Sequence, residues 1–221
     1  IDSGSRLTDG EKEQFDVVLP NVHYSGLFNE TKRVVSARPD IDLLLFICSD
    51  VLIQDPAFVV DRMEHVFSDP TVGGYTPSNT GSGHPFCQKQ ETSGLREIPF
   101  VDGFILGIRR SVLDRIPFVD LNANPLGWGI DVYAGYVAAS MRLRTVVDDL
   151  VSVHHPLGSG YDRQQAFGEM LQWLAIHGDG SRRYFRLYRR LRRLSRFRLS
   201  RMSEGKISPL ELGLFRLFAR L

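Results

Sequence analysis

The chain has 221 residues and a mass of 25.0 kDa, with 27 Lys+Arg, 26 Asp+Glu and 43% hydrophobic residues. This balance excludes a disordered chain and a wholly nucleic-acid-coating protein, and it leaves room for a substantial core. Two cysteines, Cys48 and Cys87, exclude a disulfide-rich scaffold, no CxxC pair points to zinc, and the longest apolar run, Leu43 to Cys48, is too short to span a bilayer.

The chain opens with Ile1, and no signal peptide is visible. Ile1 to Ser5 reads as the tail of a strand running into a turn. Phe15 to Leu19 is a short apolar strand closed by Pro20-Asn21. Thr31 to Ala37 suits a helix, and Leu43 to Ile47 suits the middle of a parallel sheet. Asp55-Pro56 is a helix start, with Asp as N-cap and Pro at the first helical position. Phe58, Val59, Met63, Val66 and Phe67 then form one apolar stripe. Thr71 to Tyr75 reads as a strand. Thr76 to Gly94, rich in Gly, Ser, Thr and Pro, reads as a long loop of the kind that is often functional.

Pro99 to Ile108 reads as a strand interrupted at Asp102-Gly103, and Ser111 to Ile116 as a short helix. Asn122 to Gly129 leads into a helix from Ile130 to Met141. Arg144 to Asp148 and Leu150 to Val153 are strand-like and end at His154-His155-Pro156. Tyr161 to His177 is an amphipathic helix. Beyond it, residues 181–221 carry 13 Lys+Arg against 2 Asp+Glu, whereas residues 1–180 carry 14 against 24. An acidic body therefore bears a basic helical segment, in which Leu187, Leu191 and Leu194 share a face beside Tyr184 and Tyr188. That segment either attracts phosphates or is a solvated face packed on the body. Ser208-Pro209-Leu210-Glu211 is a capping box that starts a last helix. The alternation of strands and helices predicts an α/β sheet with helices on both faces.

In open α/β sheets ligands bind at the carboxyl ends of strands. Asp2, Asp50 and the His154-His155 pair stand at such ends, and Asp131 opens the helix after Gly127-Trp128-Gly129. A carboxylate with an imidazole suits a divalent cation such as Mn²⁺, while Mg²⁺ prefers oxygen ligands. Taken singly, each of these residues is more simply explained as a turn, a cap or a structural residue. Their order along one chain points to a site.

With those residues in that order, the chain resembles a family 2 glycosyltransferase of the GT-A fold over about residues 1–165. Asp2-Ser3-Gly4-Ser5 resembles the end of the family's second strand, whose Asp reads the nucleotide base. The segment from Asn21 to Asn29 resembles its Asn- and Gly-containing segment. Leu44 to Val51 sits where the family has an apolar strand running into Asp-x-Asp, with Cys48 in place of the first Asp. Val101-Asp102-Gly103-Phe104 through Arg109 resembles the strand near the acceptor. Gly127 to Asp131 occupies the place of Trp-Gly-x-Glu-Asp, with Ile130 in place of Glu. His154-His155-Pro156-Leu157-Gly158-Ser159 resembles the late metal-binding His and its Gly-Ser loop. The family's first strand would lie before Ile1, so the chain as given resembles the family without it.

The resemblance implies a GT-A-like, mostly parallel sheet over residues 1–177, followed by a basic amphipathic helical tail over 178–221. It implies inverting transfer of a sugar from a nucleotide diphosphate-sugar to a saccharide or lipid-linked acceptor, at the cytoplasmic face of the plasma membrane, in synthesis of a bacterial surface polysaccharide or glycolipid. Asp131 would be the general base. Asp2, Ser3, Gly4, Ser5, Asn21, Asn29, Ser49 and Asp50 would meet the donor; Asp102, Gly103 and Trp128 would meet the acceptor or sugar. Asp50 and His155 would hold Mn²⁺ or Mg²⁺, with His154 as the alternative ligand, because strand alternation sends the two imidazoles to opposite faces. The apolar side of the basic segment would lie in an anionic membrane surface. One competing reading is a nucleotide-sugar-forming nucleotidyltransferase, whose Gly-rich phosphate loop does not appear here; another is a non-catalytic GT-A-like module that docks to membranes or partners through the basic tail. A nucleic-acid role rests on the arginine run alone and ranks last.

Overall fold

The computed structural model describes residues 1–3, 8–81, 83–92, 94–156, 161–197 and 200–221; the expected donor residues Gly4 and Ser5 and the expected Gly158-Ser159 loop lie outside them. The described residues contain β1 (Asp2–Ser3), α1 (Asp9–Lys12), β2 (Val18–Leu19), α2 (His23–Ala37) and β3 (Leu43–Ile47). Next come α3 (Pro56–Phe67), β4 (Val72–Asn79), β5 (Leu95–Ile98), β6 (Ile105–Arg109) and α4 (Arg110–Leu113). The chain continues through α5 (Ile130–Ser140), β7 (Arg144–Val153), α6 (Arg163–Ile176), α7 (Asp179–Leu194) and α8 (Pro209–Phe218).

Local chemistry sets several boundaries. Asp55 accepts the Phe58 N–H at 3.0 Å, closing the start of α3. Ser208 and Glu211 form a reciprocal capping box at α8. Helix α2 begins eight residues earlier than its apolar pattern suggests, because the Asn21 side chain accepts the His23 N–H and starts the turn there.

The expected mostly parallel sheet is not what forms. The main sheet is mixed, in the order β3-β6-β4-β7-β5, and only β4 and β7 pair in parallel. The second parallel pair, β1 with β2, forms a separate two-stranded sheet. Antiparallel β6 lies between β3 and β4, so strand direction is set by a long-range pairing that a local pattern does not encode. The stretch 76–79, expected in a loop, is the second half of β4 and is fully buried. Its Pro77 sits beside a register shift against β7, where a missing backbone donor is tolerated. Residues 99–104 link β5 to β6 rather than belonging to one strand.

Both faces of the main sheet are covered. Phe46, Leu106, Ile108 and Val147 face a large core shared with α2, α5, α6, α7 and α8. Leu43, Leu45, Tyr75 and Val146 face Met63, Val66 and Phe67 of α3. This is strand alternation expressed as two layers.

Helix α7 corrects a second expectation. Its Tyr184, Phe185, Leu187, Tyr188 and Leu191 are buried in the same core as α5 and α6. The apolar side expected to lie in a membrane therefore packs on the protein itself, while Arg182, Arg186, Arg190, Arg192 and Arg193 face solvent. No helix of the described residues is long and apolar enough to cross a membrane.

Candidate functional site

The sheet directions bring the chemistry to one rim. Strands β3, β4 and β7 run the same way, and β6 runs against them, with Ile47 opposite Ile105. The carboxyl ends of β3, β4 and β7 and the amino end of β6 thus lie together. Cys48-Ser49-Asp50, Thr80 and Gly81, His154-His155 and Asp102-Gly103-Phe104 all leave the sheet there, and Gly83 and His84 lie beside them. Helix α5 adds Asp131 from its first turn.

Asp50 and His155 meet, with Nε2 3.2 Å from Oδ2. The His155 ring stacks on Phe104 at 4.7 Å, nearly parallel. Its backbone N–H donates to the buried Asn79 side chain at 3.1 Å. His154 turns away: its Nδ1 lies 3.1 Å from the Thr80 hydroxyl, and its backbone bridges Leu52. The pair at Asp50 is thus one carboxylate and one imidazole.

A second group gathers beside the first. His84 Nε2 lies 3.4 Å from Asp131 Oδ2, and the His84 backbone N–H donates to Asp102 at 2.7 Å. His84, Asp102 and Asp131 each offer an atom within 4.8 Å of the others, close enough to share a cation. Gly83, at φ +150°, lets the chain pass over Asp102, where a Cβ would collide with the carboxylate. Gly103 faces Asp131, and a Cβ there would lie 3.8 Å from that side chain.

Burial pushes the His84 pKa down, but the Asp102 and Asp131 carboxylates outweigh it and leave the imidazole raised above its ordinary value. Burial raises the Asp102 pKa, and repulsion by Asp131 adds to this. Burial, with repulsion from Asp50 and Asp102, pushes the Cys48 thiol up to about 12. Cys48 therefore stays a neutral thiol at physiological pH, where the resembled motif has a carboxylate. The Tyr24 hydroxyl is buried without a hydrogen-bond partner among the described residues, and its pKa is raised by burial and by Cys48, Asp131 and Asp102. It is an unused donor beside the two acids.

Asp131 is held by its turn. Gly129 caps α5 at φ +93°, a left-handed conformation that favours glycine. Asp131 Oδ1 accepts the Val132 N–H at 2.7 Å. Trp128 is half-buried, and its indole N–H donates to the Tyr161 hydroxyl at 2.9 Å. One edge of this ring is therefore already engaged.

Other expected residues sit elsewhere. Asn29 is buried in α2 and clamps Val119, donating to its carbonyl at 2.8 Å and accepting its N–H at 2.9 Å. That corrects its expected donor contact, since both ends of the amide hold the chain together. Asn21 starts α2, as described above. Asp2 and Ser3 lie in the two-stranded sheet, where β1 touches α2. Ser49 is exposed beside Asp50. Arg109 is at the far end of β6 and donates to the Val72 and Phe67 carbonyls, so it is a scaffold residue.

Sequence reasoning missed His84 and Tyr24. His84 stood alone in a stretch read as loop, and the only available signal was that stretch's position between a strand and the Asp102 segment.

No family model matches the chain, and no curated protein matches it. Among solved structures, A197 from STIV is similar at 18% identity and a TM-score of 0.46, over 66% of this chain and 75% of that one.

Proposed function

We propose that this protein is an inverting glycosyltransferase that moves a sugar from a nucleotide diphosphate-sugar to a hydroxyl of a saccharide or lipid-linked acceptor, in synthesis of a bacterial surface polysaccharide or glycolipid. The observation that supports this reading is the gathering of Asp50 with His155, and of Asp102 with Asp131, on one rim of the sheet.

Asp50 and His155 would hold a divalent cation such as Mn²⁺ or Mg²⁺, which when bound supplies positive charge against a departing diphosphate. Phe104 fixes the plane of the His155 ring, so the imidazole is presented to Asp50 without a search over rotamers. Asp131 takes the proton from the acceptor hydroxyl at its carboxylate oxygen, a role worth typically about 10²–10⁴-fold. His84 faces that carboxylate and orients it. Asp102, buried under Gly83, fixes His84 through the backbone. Tyr24 offers its hydroxyl to a bound sugar or phosphate. Trp128 offers the face of its ring to a sugar. The exposed arginines of α7 would attach the protein peripherally to an anionic membrane on the cytoplasmic side.

A second reading, a non-catalytic module of similar shape, is favoured by the neutral thiol of Cys48. Assay of hydrolysis and transfer from a panel of UDP- and dTDP-sugars with Mn²⁺ separates the two. Turnover that Asp50→Asn reduces supports the transferase; binding of nucleotide-sugar without turnover on any acceptor supports the module.

A further inference from the structure

A cleft of about 480 Å³ opens beside the candidate site, lined by Phe167, Phe185, Tyr188, Arg189, Arg192 and Arg193 with Ser195. Three of its lining residues are arginines. Among the described residues, no ion pair joins Arg189, Arg192 or Arg193 to a carboxylate. Arg189 is placed by its stack over Phe167 at 5.3 Å. Arg192 donates to the Tyr188 hydroxyl at 3.4 Å. Three positive charges on aromatic walls are a poor fit for a neutral sugar. Guanidinium forks match planar carboxylates and phosphates, and the charge count favours the polyanion over a single carboxylate.

The cleft is joined to the acid pair by one side chain. The Tyr188 hydroxyl that meets Arg192 also lies 3.3 Å from His84 Nδ1, and the opposite nitrogen of that ring faces Asp131. His84 is further wedged between the rings of Phe86 and Phe100 and the edge of Tyr188. A group held at the Arg192 guanidinium is therefore linked to Asp131 through the Tyr188 hydroxyl and the His84 imidazole.

We propose that this cleft binds the phosphate or diphosphate of the acceptor, so that an acceptor hydroxyl attached to it is delivered to Asp131. The proposal deepens the transferase reading and rests on it for the acceptor; the anion site itself does not. It gives the basic segment a role that its buried apolar face does not allow as a membrane-inserted helix. The ligand chemistry is a phosphate ester or anhydride, carried either by a soluble molecule or by a lipid headgroup.

The test is titration calorimetry of the full chain with inorganic pyrophosphate in EDTA, which removes any cation-dependent binding at Asp50 and His155. Arg192→Gln and Arg193→Gln should each weaken pyrophosphate binding by about 10- to 100-fold, the loss expected for a charge-assisted hydrogen bond. Arg115→Gln, exposed after α4 and outside both α7 and the cleft, should bind as the unmodified chain does. Melting curves check that all three variants fold; Arg193 is exposed, so its variant keeps the test open if Arg192→Gln is unstable. Equal affinities in all chains, or an equal loss in all three variants, overturn the proposal. Flotation on phosphatidylglycerol vesicles separates the sources: loss in the cleft variants alone supports a lipid phosphate. Unaltered flotation together with lost pyrophosphate binding supports a soluble one. Because no donor is present, these results stand whether or not Asp131→Asn alters turnover.

Discussion

His155 reaches Asp50 across the rim of the sheet, with Nε2 3.2 Å from the carboxylate oxygen, while the adjacent His154 faces Thr80. The two imidazoles are one residue apart and serve different faces. This makes the doublet a controlled comparison within the protein.

His155→Ala should abolish Mn²⁺ binding detected by electron paramagnetic resonance in the presence of UDP, or weaken it by at least the roughly 10- to 100-fold typical of losing a supporting group around a metal. His154→Ala should change it little. Equal effects of both variants would separate Mn²⁺ binding from the Asp50 pairing.

Gly129→Ala should lower both stability and turnover although Asp131 is untouched. The position has φ +93°, and a Cβ would lie 2.7 Å from Met170 Cγ. The left-handed backbone alone costs about 1–2 kcal/mol. The contact with Met170 adds to this, and relief of either shifts the first turn of α5. Thermal melting together with the transfer assay checks both effects.

Asp149 sets an acid limit on stability. It is fully buried and receives two hydrogen bonds from Arg96, at 2.6 and 3.1 Å, with further bonds from Thr92 and from the Gln90 N–H. Burial raises its pKa, but the bonds from Arg96 and Thr92 outweigh this and hold it below the ordinary carboxyl value. The folded value lies below the unfolded one. The contribution is therefore full above the unfolded value of about 3.9 and is lost as pH falls through the folded value. Asp149→Asn should cost about 3–5 kcal/mol at neutral pH, as breaking a buried pair does, and should flatten the acid limb of a stability-against-pH curve. Urea unfolding at several pH values measures both.

How much of this was legible depends on whether the deciding interaction is local. The start of α3 at Asp55-Pro56 and that of α8 at Ser208 were legible because a cap is a contact over three residues. The Leu43–Ile47 run was legible as a strand, but not its place: β3 is an edge strand paired antiparallel with β6, and within it only Phe46 is buried. Strand direction was not, since antiparallel β6 inserts between β3 and β4 through pairings of distant segments. The polar half of β4 was misread because Thr76, Ser78 and Asn79 are buried by neighbours on both sides, against their local preference. At the site, the ends of β3 and β7 marked Asp50 and the His doublet. His84 was invisible: its meaning comes from Asp102, Asp131 and Tyr188, on three separate elements. The arginine face of α7 was visible as charge, but the burial of its other face follows only from packing on α5 and α6.

The most direct measurement of the account is transfer by Asp131→Asn under saturating UDP- or dTDP-sugar and Mn²⁺. The account predicts turnover reduced by about 10²–10⁴-fold with donor affinity retained, because the carboxylate serves the acceptor proton and not the donor. Turnover equal to that of the unmodified chain would contradict it.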